Sequence, residues 1–187
     1  MTHESIKNLI LSALFAAITA ILAQITIPLP LVPITGQTFA VALTATILGS
    51  RYGALSMIVY ALLGAIGLPV FSGMSGGFAA IIGPSGGYII GFIVTAFITG
   101  WILERTTFNL PMALIANLVG MIVILIIGTI QLKFVADLSW IKAIAFGATP
   151  FILVGIIKAA LASWLGILIR QRLEKFGLLQ AKTKTVA

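Results

Sequence analysis

One lysine lies in the middle of a long apolar run. Lys158 is about ten residues from either end of the segment 149–169, so its ammonium is predicted near the centre of a membrane span. A charge at that depth costs roughly 2.5–3.5 kcal/mol on insertion scales, and a lysine stem is too short to carry it to water from mid-span. No Asp or Glu occurs inside any apolar run. The charge therefore favours an anionic substrate as counter-ion, and the alternative is a lysine solvated by backbone carbonyls in a wet crevice.

Uncharged polar residues within the apolar runs are further candidates for a substrate site. Gln37 opens one run and Asn117 lies within another. Each amide carries donors and an acceptor that could hydrogen-bond a polar ring. Either could instead join helices, which is worth about 0.6 kcal/mol on average in membranes. Tyr88 is interpreted as a pocket wall or as an aromatic residue of the membrane interface.

The composition identifies the solvent around these residues as lipid. The chain is 60% hydrophobic and 8% charged, with a mean hydropathy of +1.22, whereas soluble domains carry about 25% charged residues. The net charge is +7, but the basic residues flank apolar runs without interleaved aromatics, so no nucleic-acid partner is expected. The chain has no cysteine, P-loop or H-E-x-x-H motif. We expect no metal, no cofactor and no enzymatic activity.

The apolar runs predict an all-α membrane protein, a compact bundle of six transmembrane helices in a single domain over residues 1–187. A membrane helix needs about 20 apolar residues, and the runs were divided at charges and at Pro/Gly clusters. The predicted helices are about 5–27, 36–50, 53–68, 86–103, 109–132 and 149–169, followed by a basic tail, 170–187.

The distribution of basic residues orients this bundle. Six spans place both termini on one side, and that side carries eight of the 11 basic residues: Lys7, Arg51, Arg105, Arg170, Arg172, Lys175, Lys182 and Lys184. The opposite side carries only Lys133 and Lys142. By the positive-inside rule, both termini are cytoplasmic.

Two uncharged loops are predicted on the outer face. Three prolines interrupt the chain within residues 28–33, and residues 67–88 contain seven glycines and no charge. Irregular backbone at membrane depth is tolerated only where protein buries it or where it lines a cavity. Short or interrupted helices also point to a substrate site. These loops indicate a covered outer pocket, and the alternative is a packed plug with tight glycine turns.

Helix 1 carries small residues four positions apart, a spacing that lets another helix approach closely. The predicted partner interface consists of Ala13, Ala16, Ala17 and Ala20. The same stripes could also serve packing within the bundle.

Several blocks resemble the BioY family, the biotin-binding S components of energy-coupling factor (ECF) transporters. The blocks are residues 32–38 (VPITGQT), 64–71 (GAIGLPVF), 83–92 (GPSGGYIIGF), 150–151 (PF) and 157–159 (IKA). The resemblance covers nearly the whole chain. One position departs from the family pattern, because Gly155 stands where an acidic residue is expected three positions before the lysine.

The resemblance implies a six-helix subunit of the bacterial cytoplasmic membrane that captures biotin and works with a membrane coupling protein and cytoplasmic ATPases. Lys158 suits the carboxylate of biotin, and Gln37 or Asn117 suits its ureido ring. The signature blocks add Thr35, Phe71, Ser85, Gly86 and Tyr88 to the expected substrate-binding residues. A small channel or passive facilitator is the alternative function, and a membrane enzyme is a distant third.

Overall fold

The structure is a computed structural model that describes residues 3–179. Within that range the helices are α1 (His3–Leu22), α2 (Gln37–Ala65), α3 (Phe78–Ile82), α4 (Gly86–Arg105), α5 (Leu110–Val135), α6 (Trp140–Gly147) and α7 (Thr149–Lys175). Two short antiparallel strands, β1 (Thr26–Ile27) and β2 (Ile34–Thr35), join α1 to α2. A 3₁₀ turn, Ser72–Met74, precedes α3.

Five helical segments of the described chain are long and apolar enough to cross a membrane; the last of them combines α6 and α7. Large apolar side chains cover their outer faces, among them Ile21 and Leu153, which are 69% and 70% exposed. Such a surface matches acyl chains rather than water. The prediction of a helical multi-pass membrane protein is confirmed at this level.

Helix α2 is folded back on itself. Gly49 has φ 79° and ψ −169°, a region that essentially only glycine adopts. Gln37 Nε2 donates to the Tyr60 hydroxyl at 2.6 Å, although the two lie 23 residues apart and would be about 34 Å apart in a straight helix. A Cβ at Gly53 would lie 3.3 Å from the Ala45 Cα, so the two limbs are in close contact.

The limbs of α2, residues 37–48 and 50–65, correspond to the second and third predicted helices, 36–50 and 53–68. The predicted interhelical turn at Arg51 and Tyr52 was wrong, because the reversal takes a single residue and both of these residues are helical. The limbs are about 18 and 24 Å long. Neither reaches the full thickness of a bilayer core, about 30 Å, without its flanking loops.

An acidic residue of α4 explains why the chain reverses at Gly49. Glu104 Oε1 accepts the Ser50 N–H at 2.7 Å, and Oε2 accepts the Ser50 hydroxyl at 2.6 Å. The carboxylate thereby accepts a backbone N–H at the start of the second limb, which has no partner within the helix, and it faces the positive end of that limb's helix dipole. A Cβ at Gly49 would collide with this carboxylate, and one at Gly100 would collide with the backbone of the turn.

The segment between α1 and α2 is a proline hairpin, which we define as residues 26–35. The predicted first helix continued to residue 27, but α1 ends at Leu22 and the chain pairs as Thr26 with Thr35 and Ile27 with Ile34. The prolines lie in the turn between the strands, where the absence of a backbone N–H does not cost a hydrogen bond between the strands.

The last predicted boundaries also differ from the structure. Helix α7 continues six residues beyond residue 169, to Lys175, so the beginning of the predicted basic tail is helical. Residues 180–187, with Lys182 and Lys184, lie outside the described residues. Lys7 Nζ donates to the Gly177 carbonyl at 3.2 Å, which places the start of α1 and the end of α7 at the same end of the bundle.

Two short helices were not predicted. Helix α3 interrupts the loop 67–88, and α6 occupies the loop between the last two spans. Both are too short to give a clear periodic pattern against an apolar background.

The alanine stripes of α1 divide between two faces. Ala16 is 1% exposed and Ala20 packs against the main core, whereas Ala13 and Ala17 are exposed. Ala16 is covered by α2 and the loops, so its assignment to a partner interface is corrected to packing within the bundle. Ala20 lies half-buried on the same face, which favours the same alternative. Ala13 and Ala17 remain available as a small-residue stripe.

Candidate functional site

One cavity of about 330 Å³ lies between α2, α4, α5 and α7, within the range of small-molecule sites. The proline hairpin and residues 67–85, which we call the cover segment, close it at one end. Its walls are mostly apolar and include Phe92, Ile124, Leu125, Phe151 and Val154. Of the residues that line it, Lys158 alone carries a formal charge.

Lys158 reaches this cavity from the tenth position of α7. Its Nζ donates to the Thr35 carbonyl at 2.6 Å and to the Thr38 hydroxyl at 3.2 Å. An ammonium has three donors, so one remains for a bound group. Within residues 5–179, the only ion pair closer than 4 Å joins Arg170 and Glu174, so no carboxylate of the described chain neutralises Lys158. The structure therefore contains elements of both interpretations of Lys158: a backbone carbonyl partly solvates the ammonium, and its third donor remains accessible to an anion.

A hydrogen-bonded chain links the proline hairpin to α2 and the cover segment. The Thr35 hydroxyl donates to Gln37 Oε1 at 2.6 Å, Gln37 Nε2 donates to the Tyr60 hydroxyl at 2.6 Å, and that hydroxyl donates to the Val70 carbonyl at 3.0 Å. These partners fix the orientation of the Gln37 amide. They leave it one hydrogen and one oxygen lone pair for a ligand.

Asn117 of α5 forms a second polar group deeper in the bundle. Its Nδ2 donates to the Thr46 and Ser163 hydroxyl oxygens, at 2.9 Å each. Both hydroxyls donate to carbonyls of their own helices, those of Ala42 and Ala159, so they can only accept from the amide. Asn117 Oδ1 is buried and has no hydrogen-bond partner in the described chain. It is an acceptor available to an N–H group in the cavity.

Helix geometry separates these two polar groups. Thr38 and Thr46, their contacts on α2, lie eight residues apart, or about 12 Å. Lys158 and Ser163, the corresponding positions on α7, lie five residues apart, or about 7.5 Å. By this helical rise, the Asn117 amide lies roughly 8–12 Å deeper in the bundle than the Lys158 ammonium, and apolar residues line the cavity between them.

Other predicted residues lie in the same wall. Tyr88 is buried, donates to the Gly147 carbonyl at 2.6 Å and packs against Phe151 with ring centroids 5.9 Å apart. Phe71 lies edge-on to Tyr60, with centroids 5.5 Å apart. Ser85 lines the cavity just before α4.

Seven of the eight predicted substrate-binding residues thus line one cavity: Thr35, Gln37, Phe71, Ser85, Tyr88, Asn117 and Lys158. Gly86 does not line it. A Cβ there would collide with the Ile81 carbonyl and lie 2.5 Å from Gln131 Nε2, so Gly86 permits close backbone packing instead. Contact of these residues with a substrate stays a prediction.

A sequence profile of the BioY family matches residues 1–175. The chain belongs to the BioY family. Curated relatives include the biotin transporter BioY2 of Lactococcus lactis subsp. cremoris (strain MG1363), 41% identical over 167 residues, 89% of this chain and 92% of the relative. The biotin transporter BioY of Thermotoga maritima is 40% identical over 170 residues, 90% of this chain and 96% of the relative.

A solved structure described as the S component for biotin from an ECF-type ABC transporter is also similar to this BioY-family chain. Its TM-score is 0.84 at 33% sequence identity, and the match covers 91% of this chain and 95% of the other. The family resemblance expected from the signature blocks is therefore confirmed over nearly the whole chain.

This BioY-family chain fills the space beside Gly155 with a methionine. A Cβ at Gly155 would lie 2.5 Å from Met121 Sδ, and both residues line the cavity. A larger residue at position 155 therefore requires Met121 to move. Sequence reasoning did not select Met121 or the other apolar wall residues, because in a membrane helix they do not differ from lipid-facing positions.

Proposed function

We propose that this chain captures biotin and serves as the substrate-binding S component of an ECF-type transporter. The observation that carries the proposal is Lys158, an ammonium with a free donor in a largely apolar, covered cavity without a carboxylate. Biotin presents one carboxylate on an apolar tail and a ureido ring at its other end. The relatives are biotin transporters by name, and the similar structure is described as an S component for biotin.

The separation of the polar groups supports one orientation of the ligand. The carboxylate lies against Lys158, where a charge-assisted hydrogen bond is possible. The ureido ring lies deeper, where Asn117 Oδ1 accepts one of its N–H groups and gains the partner that it otherwise lacks. The apolar tail crosses between Met121 and Val154. Gln37 lies beside Lys158 through Thr35 and supports the carboxylate end.

The proposed topology is six spans with both termini cytoplasmic. The end of the bundle that holds the contact between Lys7 and Gly177 also carries the Gly49 turn and the basic ends of α4 and α7. By the positive-inside rule this end faces the cytoplasm of a bacterial cell membrane. The proline hairpin and the cover segment then face outward, toward the incoming vitamin.

The proposed partners are those that would supply ATP hydrolysis, for which this sequence contains no P-loop motif. ATP-driven uptake therefore requires the membrane coupling protein and cytoplasmic ATPases of an ECF module. The exposed stripe of Ala13 and Ala17 offers the coupling protein a flat helix face for close packing.

Equilibrium binding to the purified chain tests the proposal. A capture subunit binds one biotin per chain with nanomolar affinity, and native mass spectrometry shows biotin that co-purifies with it. A channel must bind weakly in order to conduct, so millimolar binding together with biotin flux into vesicles that contain the chain alone would instead identify a facilitator. Absence of any biotin binding would refute the assigned substrate.

A further inference from the structure

The first half of the cover segment is firmly attached to the bundle. Gln24 at the end of α1 donates to the Phe71 carbonyl at 3.0 Å, and its Oε1 accepts the Met74 N–H at 2.9 Å. The Phe71 ring lies so close to Gly64 that a Cβ there would overlap it, and Phe71 is 2% exposed. Apolar burial and side-chain hydrogen bonds therefore hold this half together.

The second half, which contains α3, is held by fewer contacts: Ala80 and Ile81 pack against the main core, and the Gly77 N–H donates to the Gly64 carbonyl at 2.7 Å. None of the five residues of α3 is buried, and Phe78 and Ile82 are 65% and 59% exposed. Gly77, with φ 94°, precedes the helix, and Gly83 follows it. Between these glycines, Ala79 and Ala80 cover the cavity.

One side chain of α5 fastens this second half. Gln131 Nε2 donates to the Ile81 carbonyl at 2.8 Å and to the Gly83 carbonyl at 2.9 Å. Both hydrogens of the amide are thus used at the C-terminal end of α3, on the Ile81 carbonyl, which has no partner inside so short a helix, and on the Gly83 carbonyl, which also accepts the Gly86 N–H at 3.0 Å.

The start of α4 is shaped around this amide. A Cβ at Gly86 would lie 2.5 Å from Gln131 Nε2, and one at Gly87 would lie 2.7 Å from Gln131 Cβ. Two consecutive glycines therefore make the room in which the Gln131 side chain reaches α3. Gly86 therefore contacts Ile81 and Gln131 and does not line the cavity.

We propose that α3 is a flap that opens about Gly77 and Gly83 to admit and release the ligand, and that Gln131 is the positioning residue that holds it closed. The first half of the cover segment stays in place during this motion. The inference rests on the proposed function for the identity of the ligand, but the motion itself does not depend on it.

Ligand exchange rates test the flap. Gln131→Met keeps the length of the side chain and removes both donors. We expect its biotin association and dissociation rates each to rise at least tenfold, a factor that corresponds to about 1.4 kcal/mol, with Kd within threefold of wild type. Gln24→Met is the matched control on the fixed half, and its rates should change less than threefold.

Thiol labelling tests the opening without biotin. The chain has no cysteine, so Ala80→Cys introduces a single thiol on the flap itself, at a position that lines the cavity. A maleimide should modify it at least tenfold faster in the Gln131→Met background than in the wild-type or Gln24→Met background. If Gln131→Met does not fold, Gln131→Glu, which directs a carboxylate toward the two carbonyls, replaces it and should accelerate labelling further.

Several results would overturn the inference. Unchanged labelling in the Gln131 variants would show that the amide does not hold α3, and equal acceleration by Gln24→Met would show that the whole cover moves as one. A higher Kd with an unchanged association rate would place Gln131 in ligand contact. Wild-type protein that binds no biotin, with labelling still accelerated, would refute the proposed substrate and leave the flap intact.

Discussion

Removal of the Lys158 ammonium has a predictable effect on binding. Lys158→Met keeps most of the stem and deletes all three donors. The donor that is free in the structure is expected to bind the biotin carboxylate, and a hydrogen bond to a charged group contributes about 1.5–3 kcal/mol. Its loss should raise the Kd for biotin by roughly 10- to 150-fold.

The same substitution also has an indirect effect, which must be separated from the direct one. It removes the donor to the Thr35 carbonyl, now bonded at 2.6 Å, and thereby loosens the proline hairpin over the cavity. This effect acts on any ligand, whereas loss of the charge acts only on an anion. Biotin amide, which is neutral, reports the indirect effect alone.

Isothermal titration of the purified protein with biotin and with biotin amide measures both effects. We expect the Kd for biotin to rise at least tenfold more than the Kd for the amide. Lys142→Met is the matched control, because Lys142 is exposed on α6, outside the cavity, and should leave both affinities within twofold. Equal losses for the acid and the amide would refute the assignment of Lys158 to the carboxylate.

Four further predictions concern the deep end of the cavity, its cover and the two faces of α1. Asn117→Leu should raise the Kd for biotin and for biotin amide by the same factor, roughly 5- to 10-fold for one neutral hydrogen bond; a selective loss for the acid would reverse the ligand orientation. Biotin should slow hydrogen exchange in residues 67–85, and protection confined to the opposite end of the bundle, near Arg51 and Arg105, would contradict a ligand site beneath the cover segment. Ala17→Trp should abolish association with the coupling protein and ATP-driven uptake in a co-purification and uptake assay while biotin affinity stays within threefold. Ala16→Trp should instead lower the melting temperature, since overpacking a buried position costs about 1–3 kcal/mol, and a stable Ala16→Trp protein with normal binding would show that this position can face outward.

Composition and spacing were sufficient to predict the membrane class, the approximate spans and the position of Lys158 inside the bundle, where it lines the cavity. A charge in an apolar run is conspicuous because burial of an ammonium is costly anywhere along a span, whatever the arrangement of its neighbours. The signature blocks were sufficient to identify the family, since glycines and prolines in fixed order constrain the backbone directly.

Tertiary structure decided how those residues are used. The sequence could not show that the Asn117 amide donates both of its hydrogens to Thr46 and Ser163, because these partners lie 71 and 46 residues away along the chain. It also could not separate the two alanine stripes of α1, since small residues four apart look the same whether the neighbour is α2 or lipid. Gln131 gave no signal of its own, because one glutamine near a helix end is unremarkable until α3 lies against it. Hydrophobicity along the chain thus defines which segments enter the membrane, whereas hydrogen-bond partners and buried faces depend on contacts between distant segments, which only the folded bundle creates.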